Sequence, residues 1–153
     1  MPPDSTRRVE TDYADVQYLQ AAAELLRPAK LRSYELMRVQ GGQKLLDVGC
    51  GPGLDTVALA LNVGPEGEVA GVDRDPVMVA EADARAHAAG VSAWVTHRTG
   101  DAAALPFDDG RFDASRCERM FQHLAQPEHA LAEMVRVTRP GGWVVVVDTD
   151  WGT

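Results

Sequence analysis

Residues 45–53 read Leu-Leu-Asp-Val-Gly-Cys-Gly-Pro-Gly, and no other stretch limits the fold so sharply. A short apolar run ends in an acid, and three glycines then alternate with other residues. A buried strand that turns at once into a helix, with a ligand close to the bend, calls for this order. Glycine takes the positive φ of such a bend and lets a ligand approach the backbone. The helix that follows offers N–H groups and the positive end of its dipole to a negative group. Asp47 adds a fixed negative charge beside the turn. Together they suit a ligand with an anionic and a cationic part, such as an amino acid.

The remainder of the chain repeats the strand-then-helix order. Lys44 to Val48 reads as the first strand and Leu54 to Val63 as a helix stopped by Gly64. Glu68 to Asp73 is the second strand; Asp75 caps the next helix and Pro76 takes its first position, with Gly90 as the stop. Residues 93–98 and Phe112 to Cys117 are the third and fourth strands. Pro127 opens a helix with Leu131, Met134, Val135 and Thr138 on one face, and Arg139-Pro140-Gly141-Gly142 ends it. Trp143 to Asp148 is the fifth strand, whose four consecutive valines fit burial on both sides. Such alternation predicts an α/β fold: a Rossmann-like parallel sheet with helices on both faces. Ahead of it, residues 1–12 read as loosely attached. Tyr13 to about Arg27 has helical spacing, and a second helix follows Pro28 to about Val39. The division predicted is a helical cap over residues 1–40 and a ligand-binding domain over 41–153.

Composition narrows the function. At 153 residues the chain suits one core, and a net charge of −8 argues against a nucleic-acid partner, which needs an excess of Lys and Arg. No apolar run approaches the ~20 residues that span a bilayer, and residues 1–13 lack the apolar core of a signal segment. A cytoplasmic location is the expectation. Cys50 and Cys117 are too few and too far apart for a disulfide framework or a metal site, and read as small, semi-buried residues.

Ligands of open parallel sheets sit beyond the C-terminal strand ends, at the point where strand order reverses. The residues there are Asp47 with the glycine turn, Asp73, Gly100-Asp101-Ala102 and Glu118. Asp73 lies at a strand end 22 residues beyond Gly51, where an acid accepts hydrogen bonds from ribose hydroxyls. Its other reading, a helix cap, is already filled by Asp75. A nicotinamide dinucleotide needs a third glycine at position 54, which is Leu54. Gly100-Asp101 also reads as a plain turn and Arg74 as a solvated charge. Glu118 and Arg119 read as partners of each other or of a neighbour. Phe107 and Phe121 read as core, and Trp94 and Trp143 as packed strand starts. His123 alone among the histidines is placed near the site mouth, as a candidate for proton transfer; His87, His97 and His129 read as surface residues.

Taken together, Leu45–Gly53, Val69–Asp75, Gly100–Phe107, Phe112–Leu124 and Leu131–Val147 resemble the class I S-adenosylmethionine-dependent methyltransferases. More narrowly they resemble the small-molecule enzymes similar to the ubiquinone/menaquinone-biosynthesis C-methyltransferases. The resemblance implies S-adenosyl-L-methionine as cofactor and a small-molecule methyl acceptor. It places Gly49 and Gly51 against the methionine part, with Asp47 close by. Asp73 would take the ribose hydroxyls, Arg74 the adenine face, and Gly100, Asp101 and Ala102 the adenine edge. Glu118 would lie near the methionine part and the methyl group. Tyr13, Tyr18 and Arg27 are candidates for the methionine carboxylate or the acceptor. The resemblance also implies seven strands in the order 3-2-1-4-5-7-6, of which this chain carries five. The expectations are therefore a fold cut short after the fifth strand, with an apolar edge open to self-association, and either a transferase or a module that binds the cofactor without transferring.

Overall fold

Leu45, Leu46 and Val48 have no exposed surface, which makes Lys44–Val48 (β1) the centre of the sheet. The computed structural model describes residues 16–148; the expectations for residues 1–12 and for Tyr13 lie outside them, as does the side chain of Tyr18. β1 pairs in parallel with Glu68–Asp73 (β2) and with Phe112–Glu118 (β4), so that Asp47 has Gly71 on one side and Arg116 on the other. Val95–Thr99 (β3) and Thr138–Val147 (β5) complete the order β3-β2-β1-β4-β5. Strand order reverses between β1 and β4, so the crevice at the C-terminal ends of those two strands is where such a sheet takes a ligand.

The helices run Val16–Leu25 (α1), Arg27–Met37 (α2), Leu54–Val63 (α3), Pro76–Ala88 (α4) and Pro127–Val137 (α5). α2, α3 and α4 cover one face, where Met37, Leu59 and Ala86 join Leu45, Val69 and Val145 in one core. α5 covers the other, where Met134 and Val137 meet Leu46, Val48, Val72 and Cys117. Phe107 also packs there, edge-on to Phe112 with centroids 4.9 Å apart, and Phe121 packs beside them. Pro28 sits in the first turn of α2, where its missing N–H costs nothing. Asp75 caps α4 by accepting from the Val77 N–H at 2.9 Å.

Three expectations change. Arg139–Gly142 is not a turn between helix and strand: α5 runs directly into β5, where Thr138 pairs with Phe112 and Trp143 with Ala114. The four residues between them bulge out opposite Asp113. A Cβ on Gly142 would lie 2.4 Å from the Asp113 carbonyl oxygen, so this bulge needs glycine. The valine run is not buried on both sides, because β5 is the outer strand: Val145 is 7% exposed but Val146 is 39% exposed. Trp143, 42% exposed, lies beneath the Arg38 guanidinium, and Trp94 sits in the turn before β3 with its Nε1–H on the Ala60 carbonyl at 3.0 Å. The third change concerns His97, whose side chain is fully buried rather than at the surface.

Candidate cofactor site

The glycine turn is fastened to the end of β2. Gly49 and Cys50 both donate their N–H to the Val72 carbonyl, at 2.7 and 3.0 Å, and Gly51 donates to Asp73 Oδ2 at 2.9 Å. All three glycines have positive φ, but each serves a different end. A Cβ on Gly53 would lie 2.9 Å from both Cα and Cβ of Ala82, so this glycine lets α4 close on the turn. A Cβ on Gly49 would lie 2.9 Å from Met120 Sδ. At Gly51 a Cβ would meet nothing within 4 Å. The backbone there faces open space, as a ligand cradle requires.

Asp73 joins this turn to the next strand end. Besides Gly51 it accepts from the Asp75 N–H, through Oδ1 at 2.9 Å. A carboxylate has about four lone-pair sites, so the half-buried group keeps acceptor capacity beyond these two bonds. The Asp73 carbonyl takes the Gly100 N–H at 3.0 Å, which fixes the start of the third segment. Asp101 is exposed there, and its Oδ1 accepts from Ala103 N–H at 2.8 Å, so the turn reading of Gly100-Asp101 also holds. Ala102 is half-buried against the α5-side core, and Arg74 is exposed. Asp73, Arg74 and Gly100–Ala102 thus come together at the ends of the adjacent strands β2 and β3. His123 is exposed on a 3-10 turn at Phe121–His123 after β4, and Arg27 is exposed at the start of α2.

Asp47 and Glu118 belong to a different constellation. Asp47 is 2% exposed and Arg116, which has no exposed surface, reaches it with Nη1 at 3.1 Å. The same guanidinium lies 3.0 Å from Asp55 and 3.5 Å from Glu118, and donates to Ser33 Oγ at 3.2 Å. Lys30, from α2, donates to Asp55 at 2.8 Å and to Glu118, and the Tyr34 hydroxyl donates to Asp55. Glu118 therefore pairs with Lys30 and Arg116 rather than with Arg119. Burial pushes the Asp47 carboxyl up to about 7 in spite of Arg116, with Asp55 and Glu118 adding to the rise. For Asp55 burial acts in the same direction, but Arg116 and Lys30 outweigh it and hold the carboxyl below its ordinary range. Burial and the nearby Asp55 drive the Tyr34 hydroxyl well above its usual value. Near neutral pH, Asp47 shares in a proton and two cations balance two carboxylates. Sequence reading missed Lys30, Tyr34, Asp55 and Arg116. One signal was available: an arginine at the centre of a strand that had to be buried.

The parallel sheet in the order β3-β2-β1-β4-β5, the glycine turn after β1 and the acid at the end of β2 agree with the Rossmann-like fold of the class I S-adenosylmethionine-dependent methyltransferases. The chain belongs to the methyltransferase-domain family, whose model matches residues 46–146. It is 39% identical over 118 residues to the demethylmenaquinone methyltransferase of Bacillus cytotoxicus, covering 77% of this chain and 49% of that protein. Among solved structures it resembles a SAM-dependent methyltransferase from Aquifex aeolicus, with 25% identity, a TM-score of 0.71, and 81% of this chain and 68% of that one covered. It also resembles the [4+2]-cyclase SpnF, with 33% identity, a TM-score of 0.72, and 84% and 45% covered. The chain spans half or less of the length of the curated relatives it matches, from 39% to 50%. No helix of the described residues is long and apolar enough to cross a membrane.

The residues present fit the family's cofactor, S-adenosylmethionine. Gly51 leaves open space over the turn, and Asp73 keeps acceptor capacity beside it.

Proposed function

We propose that this chain holds S-adenosylmethionine for methyl transfer to a small-molecule acceptor. The observation that carries the reading is the Gly51 N–H to Asp73 bond, which fixes the open turn and the ribose-binding acid as one unit. In this reading Gly49 and Gly51 line the methionine part and Asp73 takes the ribose hydroxyls. Arg74 flanks the adenine, and Gly100, Asp101 and Ala102 border its edge. Glu118 lies near the methionine part, held by Lys30 and Arg116. Asp47 acts from behind: paired to Arg116, it sets the end of β1 from which the turn departs. When bound, the cofactor supplies an electrophilic methyl on a sulfonium, so the protein need only align the reactants. Alignment of this kind is worth on the order of 7–11 kcal/mol. No side chain is assigned as base; one is needed only where the acceptor must lose a proton, and exposed His123, on the turn after β4, is the candidate.

The demethylmenaquinone methyltransferase relatives support a small-molecule acceptor. Cys50 and Cys117, both buried and unpaired, support a reducing, cytoplasmic setting. The half-exposed outer edge of β5 supports self-association through that strand, which light scattering of the purified chain checks as a dimer. To test the main reading, the chain is incubated with S-adenosylmethionine labelled in its methyl group and a small-molecule extract. Label in the small-molecule fraction is expected. Cofactor binding with no transfer, or label only in macromolecules, contradicts the reading.

A further inference from the structure

Beneath the glycine turn lies a chain of three side chains from three elements. His97, on β3, has its imidazole fully buried. Its Nδ1 is 2.8 Å from Asp83 Oδ1 on α4, and its Nε2 is 2.7 Å from Thr56 Oγ1 on α3. Thr56 Oγ1 is in turn 3.2 Å from the carbonyl oxygen of Gly53, the last glycine of the turn and the residue that caps α3. The fold makes room for this ring: a Cβ on Gly71 of β2 would lie 2.8 Å from His97 Cδ2. Asp83 is the charged group in contact with the ring. α3 faces it with neutral Thr56 and β2 with Gly71, and Cys50 of the turn, whose thiol burial keeps protonated, also packs against Gly71.

Donors and acceptors along this chain allow two arrangements. A carboxylate only accepts, so in the neutral ring the proton sits on Nδ1 and faces Asp83. Nε2 then takes the single Thr56 hydroxyl proton, and that hydroxyl cannot also donate to Gly53. When the ring gains one proton from solvent, Nε2–H donates to Thr56, and the Thr56 hydroxyl turns to the Gly53 carbonyl. That carbonyl already accepts from the Val57 N–H at 3.2 Å and gains a second donor. Burial holds the imidazole below its usual range, although Asp83 pulls the other way, so the neutral arrangement prevails at neutral pH.

We infer that His97 is a positioning residue for the cofactor turn: its protonation state, passed through Thr56, sets whether Gly53 is tied down and so how tightly the turn holds the cofactor. The inference rests on reading this turn as the cofactor site. The sharpest test is the affinity of the intact chain for S-adenosylhomocysteine between pH 7.5 and pH 5, with nitrogen-15 spectra of the imidazoles recorded alongside. Binding should tighten about threefold as pH falls, the scale of one modest hydrogen bond, and His97 should carry its proton on Nδ1 at pH 7.5. Thr56→Val, which keeps shape but lacks the hydroxyl, should bind with a flat profile. Asp83→Asn, at a position with a 59% exposed side chain, should move the change to lower pH and serves should Thr56→Val not fold. A flat wild-type profile, an unchanged profile in either variant, or a proton on Nε2 at pH 7.5 overturns the inference. Absence of binding by the wild type at every pH would instead overturn the cofactor reading, and the tautomer would then decide the relay alone.

Discussion

Replacing Arg116 with methionine should destabilise the sheet beside its central strand, and the buried cluster lets the size of the effect be worked out. At pH 6 Asp47 is largely protonated, its carboxyl being pushed up to about 7. Arg116 and Lys30 then balance Asp55 and Glu118, all of them 11% exposed or less at the side chain. Arg116→Met leaves one cation against two buried carboxylates. Losing one partner of a buried ion pair costs about 3–5 kcal/mol, a large part of the roughly 5–15 kcal/mol by which a domain is stable. Adding Asp55→Asn restores one cation to one carboxylate and keeps an oxygen for the Tyr34 hydroxyl. The double variant should therefore recover at least about 2 kcal/mol over Arg116→Met, a coupling within the range seen for residues in one network. Urea unfolding at pH 6 of the wild type, both single variants and the double closes the cycle. If Arg116→Met lies within about 1 kcal/mol of wild type, or if the second substitution simply adds its own cost, the charge balance described here is wrong.

Three further outcomes are expected. Gly53→Ala should cost about 3 kcal/mol, because its φ of +85° and the 2.9 Å approach to Ala82 both resist a Cβ, whereas Gly51→Ala should cost about 1 kcal/mol yet abolish S-adenosylhomocysteine binding; thermal melts and calorimetry separate the two. Asp73→Ala should weaken that binding at least tenfold, about 1.4 kcal/mol, while Asp75→Ala should leave it within about threefold and lower stability by ~1 kcal/mol through loss of the α4 cap. The third concerns pH. The Asp47 carboxyl is raised in the folded state, so its contribution to stability is complete below its ordinary value near 3.8 and is lost as pH rises through about 7. His97 is lowered, so its contribution is present above 6.5 and is lost as pH falls. Asp47 therefore lowers the melting temperature as pH rises from about 4 to 7, and His97 raises it over the upper part of that range, so Asp47→Asn should leave only the His97 rise there and leave the slope above about pH 8 unchanged.

Much of the site's frame was legible because it rests on backbone demands. Positive φ at Gly49, Gly51 and Gly53, an acid at a strand end and a capping Asp75 are local requirements that one residue type meets. The β1–α3–β2–α4 boundaries followed for the same reason. The long-range chemistry was not legible. Arg116 stands 69 residues from Asp47, and only strand pairing brings the two together. His97 looked like a surface histidine because β3 reads as a half-polar edge; its burial depends on the glycine at 71 and on α3 and α4 closing over it. The Arg139–Gly142 segment signals a turn by composition, and only the register of β5 against β4 turns it into a bulge.

The central claim is that the turn at 49–53 and the ends of β2 and β3 form one cofactor site. Titrating the nitrogen-15-labelled chain with S-adenosylhomocysteine tests it most directly. The account predicts saturable one-to-one binding, with the largest amide shifts at Gly49, Gly51, Asp73, Asp101 and Ala102 and little change along α5. No saturable shifts, or shifts centred on α5 and the outer edge of β5, would contradict it.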